Sequence, residues 1–251
     1  MTISKREEIK QQRLKKKRKQ RMGTLMGIGG FILIAVLLLA SPWIVDQFKP
    51  VGAYNTITSI ERPMVDGKAL GDPNAPVQIE VFEDFQCPAC RDFSNTVEAQ
   101  LVESEYISSG LVYYIYRQYP FLDDGSSLTG SGESDQSANA SMCANEQGRF
   151  WDYHDMLFAN QNGENRGAFS DRRLIAFAEA IGLDMDQFES CFDENRYQAE
   201  IEAETQRGLE LGVRGTPTVF INGQPMGLPA NSVPSFEDIQ AEIQALLSLG
   251  G

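Results

Sequence analysis

Val77-Gln78-Ile79-Glu80-Val81-Phe82-Glu83-Asp84-Phe85-Gln86-Cys87-Pro88-Ala89-Cys90 is the stretch from which the fold of this chain is read. An apolar, β-rich run over 77–82 leads into a Cys-x-x-Cys, after which Phe93, Val97, Leu101 and Val102 recur at helical spacing. With Cys87 as the helix N-cap, Pro88 takes the first helical position, where a missing N–H costs nothing, and Cys90 falls at N3. The two sulfurs then face each other in the first turn, where unpaired N–H groups and the positive end of the helix dipole favour a thiolate. This predicts a redox pair, with Cys87 the exposed nucleophile and Cys90 the resolving thiol. Half of a zinc site is the alternative reading of a lone Cys-x-x-Cys. Against it, Cys143 and Cys191 are isolated and His154 is the only histidine, so no second ligand pair has zinc-site spacing.

Outward from this turn, a second β-rich run covers 111–116 and stops near Tyr119-Pro120, which completes a β-α-β pattern. Serines and glycines make 125–132 a loop. Helical periodicity follows over 138–158, 172–181, 185–192 and 196–211, with Trp151, His154 and Leu157 on one side of the first. A strand at 218–221 is closed by the turn pair Asn222-Gly223, and 236–247 reads as a final amphipathic helix. The predicted class is α/β, with a helical block at about 125–211 inserted into the frame. His154 reads as packing, with a proton carrier as the sharper alternative. Asp123 and Asp124 have no ligand spacing that supports a calcium site.

Residues 22–45 carry no charge and are rich in Leu and Ile; as a helix they extend about 36 Å, enough for a hydrocarbon layer of about 30 Å. The preceding 21 residues hold ten basic side chains against Glu7 and Glu8, a net of +8 that belongs on the cytoplasmic side. These features predict a basic cytoplasmic tail at 1–21, one transmembrane anchor at 22–45 with Trp43 at its outer end, a tether at 46–71, and an exported domain at 72–251. The expected location is therefore the cell membrane, single-pass, with the catalytic domain extracytoplasmic. A cleaved signal peptide is the competing reading, but Leu38-Leu39-Ala40-Ser41-Pro42 offers no clear cleavage site. Beyond the tail, 12 basic residues face 33 acidic ones, a surface that repels nucleic acid. Four cysteines in an exported region agree with an oxidising compartment.

Ala75-Pro76-Val77, Asp84-Phe85-Gln86-Cys87-Pro88-Ala89-Cys90, Cys143-Ala144, Gly148-Arg149-Phe150-Trp151 with Tyr153-His154, and Gly212-Val213-Arg214-Gly215-Thr216-Pro217-Thr218-Val219-Phe220-Ile221-Asn222-Gly223 together resemble the DsbA family of thiol-disulfide oxidoreductases. The likeness covers nearly all of 72–251. It implies a thioredoxin-like fold with an inserted helical domain, and an enzyme that introduces disulfides into exported, unfolded, thiol-bearing proteins. No cofactor beyond the redox-active disulfide is implied. Recycling would fall to a quinone-linked membrane oxidase of the DsbB or vitamin K epoxide reductase type. By the same resemblance Pro217 is cis and lies against the Cys87-Cys90 pair, and the backbone of Thr216 pairs with an extended substrate segment. Some relatives bridge the helical insertion, and a pairing of Cys143 with Cys191 as a structural disulfide is the most economical of the three possible sets.

Two departures from the family pattern stand out. Ala89 occupies the place of a histidine that helps hold the thiolate in the best-known member, which points to a milder oxidant. Val81 occupies the place of an acid, six positions before the nucleophile, that moves the resolving thiol's proton in many relatives. Glu83 and Asp84 are the nearby substitutes, with an exposed structural role as the alternative. A reductase or isomerase of the same fold is the second functional reading, and a non-catalytic module that holds metal or a partner protein is the third.

Overall fold

The computed structural model describes residues 15–19, 21–23, 25–32, 51–123, 132–226 and 232–249. The chain divides into two units, Met1–Gly52 and Ala53–Gly251. In the first, residues 15–19, 21–23 and 25–32 are helical and exposed. Among the described residues no helix is long and apolar enough to cross a membrane, and 33–45 of the expected anchor lie outside them. Most of the expected loop at 125–132 lies outside them too.

The second unit is built on a six-stranded sheet. Its strands are β1 (Val65–Asp66), β2 (Ala69–Leu70), β3 (Val77–Glu83), β4 (Val112–Gln118), β5 (Thr218–Ile221) and β6 (Gln224–Pro225), in the order β1-β2-β4-β3-β5-β6. β3 is the stretch that opens the reading above, and Val77, Ile79, Val81 and Phe82 are wholly buried because the strand lies at the centre of the sheet. It pairs parallel with β4 (Val81 opposite Tyr116) and antiparallel with β5 (Phe82 opposite Thr218). That second register brings Thr216 and Pro217 to the end of β3, just where the chain turns into the cysteine pair. The link from β3 to β4 is helical, as a parallel pair requires. It runs through α1 (Pro88–Phe93), a π-helical turn (Ser94–Glu98), α2 (Ala99–Glu103) and α3 (Glu105–Ser108).

Between β4 and β5 lies the helical insertion: α4 (Glu133–Asn145), α5 (Phe150–Asn160), α6 (Asp171–Ala180), α7 (Met185–Asp193) and α8 (Gln198–Glu210). The single helix expected over 138–158 is two. Gly148, at φ 67° in the left-handed region, ends the first and re-aims the chain before Phe150. The apolar pattern ran through this break because both helices bury nearly every residue they have. Asn222 and Gly223, at φ 49° and 74°, make the tight turn that pairs β5 with β6, and α9 (Phe236–Leu249) packs Ile239 and Ile243 into the core.

The expected tether at 46–71 is packed against the domain from Ala53 onward. Tyr54 meets Phe177 edge-on at 5.4 Å, Asn55 exchanges hydrogen bonds with Asn160, and Arg62 pairs with Asp155 through two bonds of 3.0 and 2.7 Å. Farther on, β1 and β2 form a hairpin across Gly67-Lys68, and β2 covers the edge of β4. Two-residue strands show no period, so the glycine that reads as looseness in the sequence is the left-handed turn of a hairpin, at φ 59°.

Candidate active site

Cys87 is the N-cap of α1, with extended backbone at φ −74° and ψ 118°, and Pro88 follows in the first helical turn. The pair is reduced in this structure. Cys87 is only 7% exposed and Cys90 not at all, so the first sulfur is less open than the sequence suggests but remains the one within reach of solvent. Behind the turn, Gln161 donates to the carbonyls of Phe85 and Cys87 at 2.7 and 2.9 Å. Asp84 accepts from the N–H groups of Gln86, Phe121 and Leu122 and from the Ser134 hydroxyl. These bonds fix the path between strand and helix. Burial pushes the Asp84 carboxyl up to about 7 against those donors.

The Thr216-Pro217 peptide is cis and the Thr216 carbonyl lies 3.3 Å from the Cys87 sulfur, which donates to it. Cys87 is pulled down to about 6, chiefly because the Cys90 thiol donates to its charged form. Burial opposes this, while Thr216 and the N–H groups of Cys90 and Ala89 add to it. Cys90 moves the other way: burial pushes it well up, and donating to Cys87 and the nearby charge of Glu83 add to the rise. The two thiols thus divide their tasks, since a pair whose titrations are driven apart has one ready thiolate and one held proton. Next to them a cleft of about 500 Å3 runs between Ala89 and the segment from Gly212 to Val219, with Met226 and Pro234 on its wall.

Glu83 and Asp84 are not exposed: Glu83 is 0% and Asp84 2% accessible. Alternation along β3 puts Glu83 on the same face as Val81, one pleat nearer the cysteines. Its carboxyl lies near enough to the Cys90 thiol to act on it, and burial first, then the charge of Glu98, holds it well above the usual carboxylate range. Glu80, on the opposite face, is instead an ion-pair centre, 2.8 Å from Arg117 and 2.7 Å from Arg207. His154 is fully buried among aromatic rings, 4.8 Å from Phe158 and 5.1 Å from Trp151. Its Nε2 stands 3.5 Å from Glu98, a residue the sequence analysis did not single out because a glutamate in an otherwise ordinary helical stretch carries no signal.

The other two cysteines form a disulfide between α4 and α7, with Cα atoms 5.8 Å apart and no exposure at either residue. Among the described residues no three His, Cys, Asp or Glu side chains are grouped to hold a metal ion. Asp123 spends its carboxylate on the N–H groups of Ser134 and Asp135 and on Gln86, as the cap of α4; Asp124 lies outside the described residues.

A thioredoxin-like sheet whose central strand delivers a Cys-x-x-Cys to a helix N-terminus beside a cis-proline defines a thiol-disulfide oxidoreductase. The chain belongs to the thioredoxin family whose model matches residues 64–245. It is 27% identical over 208 residues to a probable disulfide bond formation protein D of Bacillus anthracis, a match that takes in 79% of this chain and 88% of that one. A Na(+)/H(+) antiporter, NhaA 1 of Salinispora arenicola, is 34% identical over 209 residues, but only 29% of that protein is matched, against 78% of this chain. The crystal structure of oxidised BdbD from Bacillus subtilis has the same fold, with a TM-score of 0.60 at 21% identity, covering 77% of this chain and 100% of that one.

Proposed function

We propose that this chain is an extracytoplasmic oxidase that introduces disulfides into exported proteins through Cys87 and Cys90. In the oxidised pair a substrate thiolate attacks the Cys87 sulfur, the Cys87–Cys90 bond breaks, and Cys90 leaves and takes up a proton. The substrate's second thiolate then attacks its own sulfur in the mixed disulfide and expels Cys87 as a thiolate. Two electrons and two protons leave the substrate, which departs with a new disulfide, and a quinone-linked membrane oxidase of the DsbB or vitamin K epoxide reductase type restores the pair. Thr216 presents its backbone to the extended substrate in the cleft beside Ala89, in the manner of an added strand. Residues 22–45 anchor the chain in the membrane and raise the effective concentration of the domain at such a partner.

The observation that carries the reading is the Cys87 sulfur at the start of α1, where the Cys90 thiol and the N–H groups of Cys90 and Ala89 pull it down to about 6, because a dithiol whose reduced form holds a stable thiolate is a stronger oxidant. The name of the Bacillus anthracis relative points the same way. Ala89, which supplies no cation to the thiolate, favours the second reading, a reductase or isomerase. Equilibrating the purified full-length chain with glutathione buffers separates the two. The expected couple is more oxidising than thioredoxin at about −270 mV, and a value at or below that makes the protein a reductase.

A further inference from the structure

Cys90 must take up or give up a proton each time the pair is reduced or oxidised, yet it has no exposure, and its bond to Cys87 leads only to the sulfur that the substrate covers. From its neighbour Glu83, a line of polar atoms runs through the core away from the substrate cleft. Glu83 Oε1 is 3.4 Å from the Tyr114 hydroxyl, which is 3.0 Å from Glu98 Oε2. Glu98 in turn lies 3.9 Å from Arg62 and 3.5 Å from His154, with Asp155 paired to Arg62 at 2.7 Å. It also floors a second cleft of about 360 Å3, walled by Arg62, Asn95, Val102 and Asp155, which shares no residue with the substrate cleft.

We propose that Glu83, Tyr114 and Glu98 form a relay that carries the Cys90 proton between the resolving sulfur and the Arg62 cleft. The inference rests on the redox reading above and adds to it a route by which the proton reaches solvent without crossing the bound substrate.

The hydrogen-bond arithmetic supports this. A tyrosine hydroxyl has one proton to donate and stands between two carboxyls, so only a protonated carboxyl on one side lets both contacts be hydrogen bonds. Burial supplies that proton, since both Glu83 and Glu98 are raised by it, Glu98 against the pull of His154 and Arg62. Tyr114 itself stays neutral, again through burial, and therefore passes a proton only by accepting one as it donates another. The second oxygen of Glu83 has no partner, which is a costly arrangement for a purely structural carboxyl. When Cys90 leaves as a thiolate, Glu83 gives it a proton, Tyr114 gives its own to Glu83 and receives one from Glu98, and Glu98 is reprotonated from the cleft. Reoxidation runs the same chain backwards. The groups that face it are Cys87, Cys90 and Tyr116 at the Glu83 end, and Arg62, His154 and Asp155 at the Glu98 end.

The test is stopped-flow resolution of a Cys87–glutathione mixed disulfide by Cys90, measured on the full-length chain in H2O and D2O across the neutral pH range. Tyr114→Phe, which keeps the ring, and Glu98→Gln are each expected to slow this step at least about 10-fold and to shift its pH profile. Alkylation of Cys87 should keep its midpoint in both. Unchanged rates and pH profiles in both variants overturn the relay while leaving the oxidoreductase standing. A wild-type protein whose Cys87 forms no mixed disulfide overturns the redox reading and the relay with it. Should either variant not fold, the reduced-minus-oxidised infrared spectrum of the wild-type protein decides. Redox-linked shifts in the protonated-carboxyl bands of two glutamates, told from Asp84 by 13C labelling of glutamate, support the relay, and a shift in one glutamate alone overturns it.

Discussion

The molecule holds two cysteine pairs that share one chemistry and nothing of their surroundings. Cys87 and Cys90 sit three residues apart on a strand-to-helix turn, with a carbonyl, a second thiol and helix N–H groups trained on one sulfur and a buried carboxyl on the other. Cys143 and Cys191 lie 48 residues apart on the facing sides of α4 and α7, fully buried within the apolar core. Reactivity therefore comes from what is placed around the sulfur. The first pair has its two titrations pulled in opposite directions, and the second closes a long loop and lies beyond the reach of any attacking thiolate.

The strongest way to break this comparison is to exchange the roles by mutation. Cys87→Ser is expected to abolish thiol-disulfide exchange in an insulin-reduction assay while leaving the denaturant midpoint of the reduced domain almost unchanged below about pH 6, where the thiolate contributes nothing. Removing the other pair, Cys143→Ala with Cys191→Ala, should do the reverse, with exchange retained and unfolding in urea costing about 4 kcal/mol less. If the double variant loses exchange at native stability, the second pair is part of the redox route.

Two smaller effects sharpen the contrast. In the reduced protein, alkylation of Cys87 should rise with pH about a midpoint near 6, well below an ordinary thiol. The sign for stability follows from that depression: the thiolate's contribution is fully present above the unfolded thiol value and is lost as pH falls through about 6. Reduced protein should accordingly lose stability relative to oxidised protein over that window, and coincident pH-stability curves for the two forms would contradict it. Smallest is Ala89→His, which adds a cation beside the thiolate. A further fall of roughly one unit in the Cys87 midpoint and a more oxidising couple in glutathione buffers are expected.

Much of this was legible in the chain because it is local. The strand at 77–82, the N-cap at Cys87, the proline after it and the hairpin turn at Asn222-Gly223 depend on side chains within a few residues of each other. What escaped was of two kinds. Short or broken elements carry no period, which hid the β1–β2 hairpin and the break at Gly148. Burial of charge has no signature either: Glu83 and Asp84 stand out as nearby acids, but residue type left an exposed structural role open for both, and the Glu98–Tyr114 contact joins a π-helical turn to a strand that comes 16 residues later.

By itself, the amino-acid order determined that two sulfurs would meet at the start of a helix after a central strand, since spacing and capping are settled within one turn of backbone. Only the tertiary structure decided how acidic each sulfur is and where its proton can go. Those properties depend on which groups pack against the pair from 129 residues away, as the Thr216 carbonyl does, and on how completely water is excluded from Glu83 and Cys90. Desolvation is a property of the surroundings, and residue type alone does not carry it.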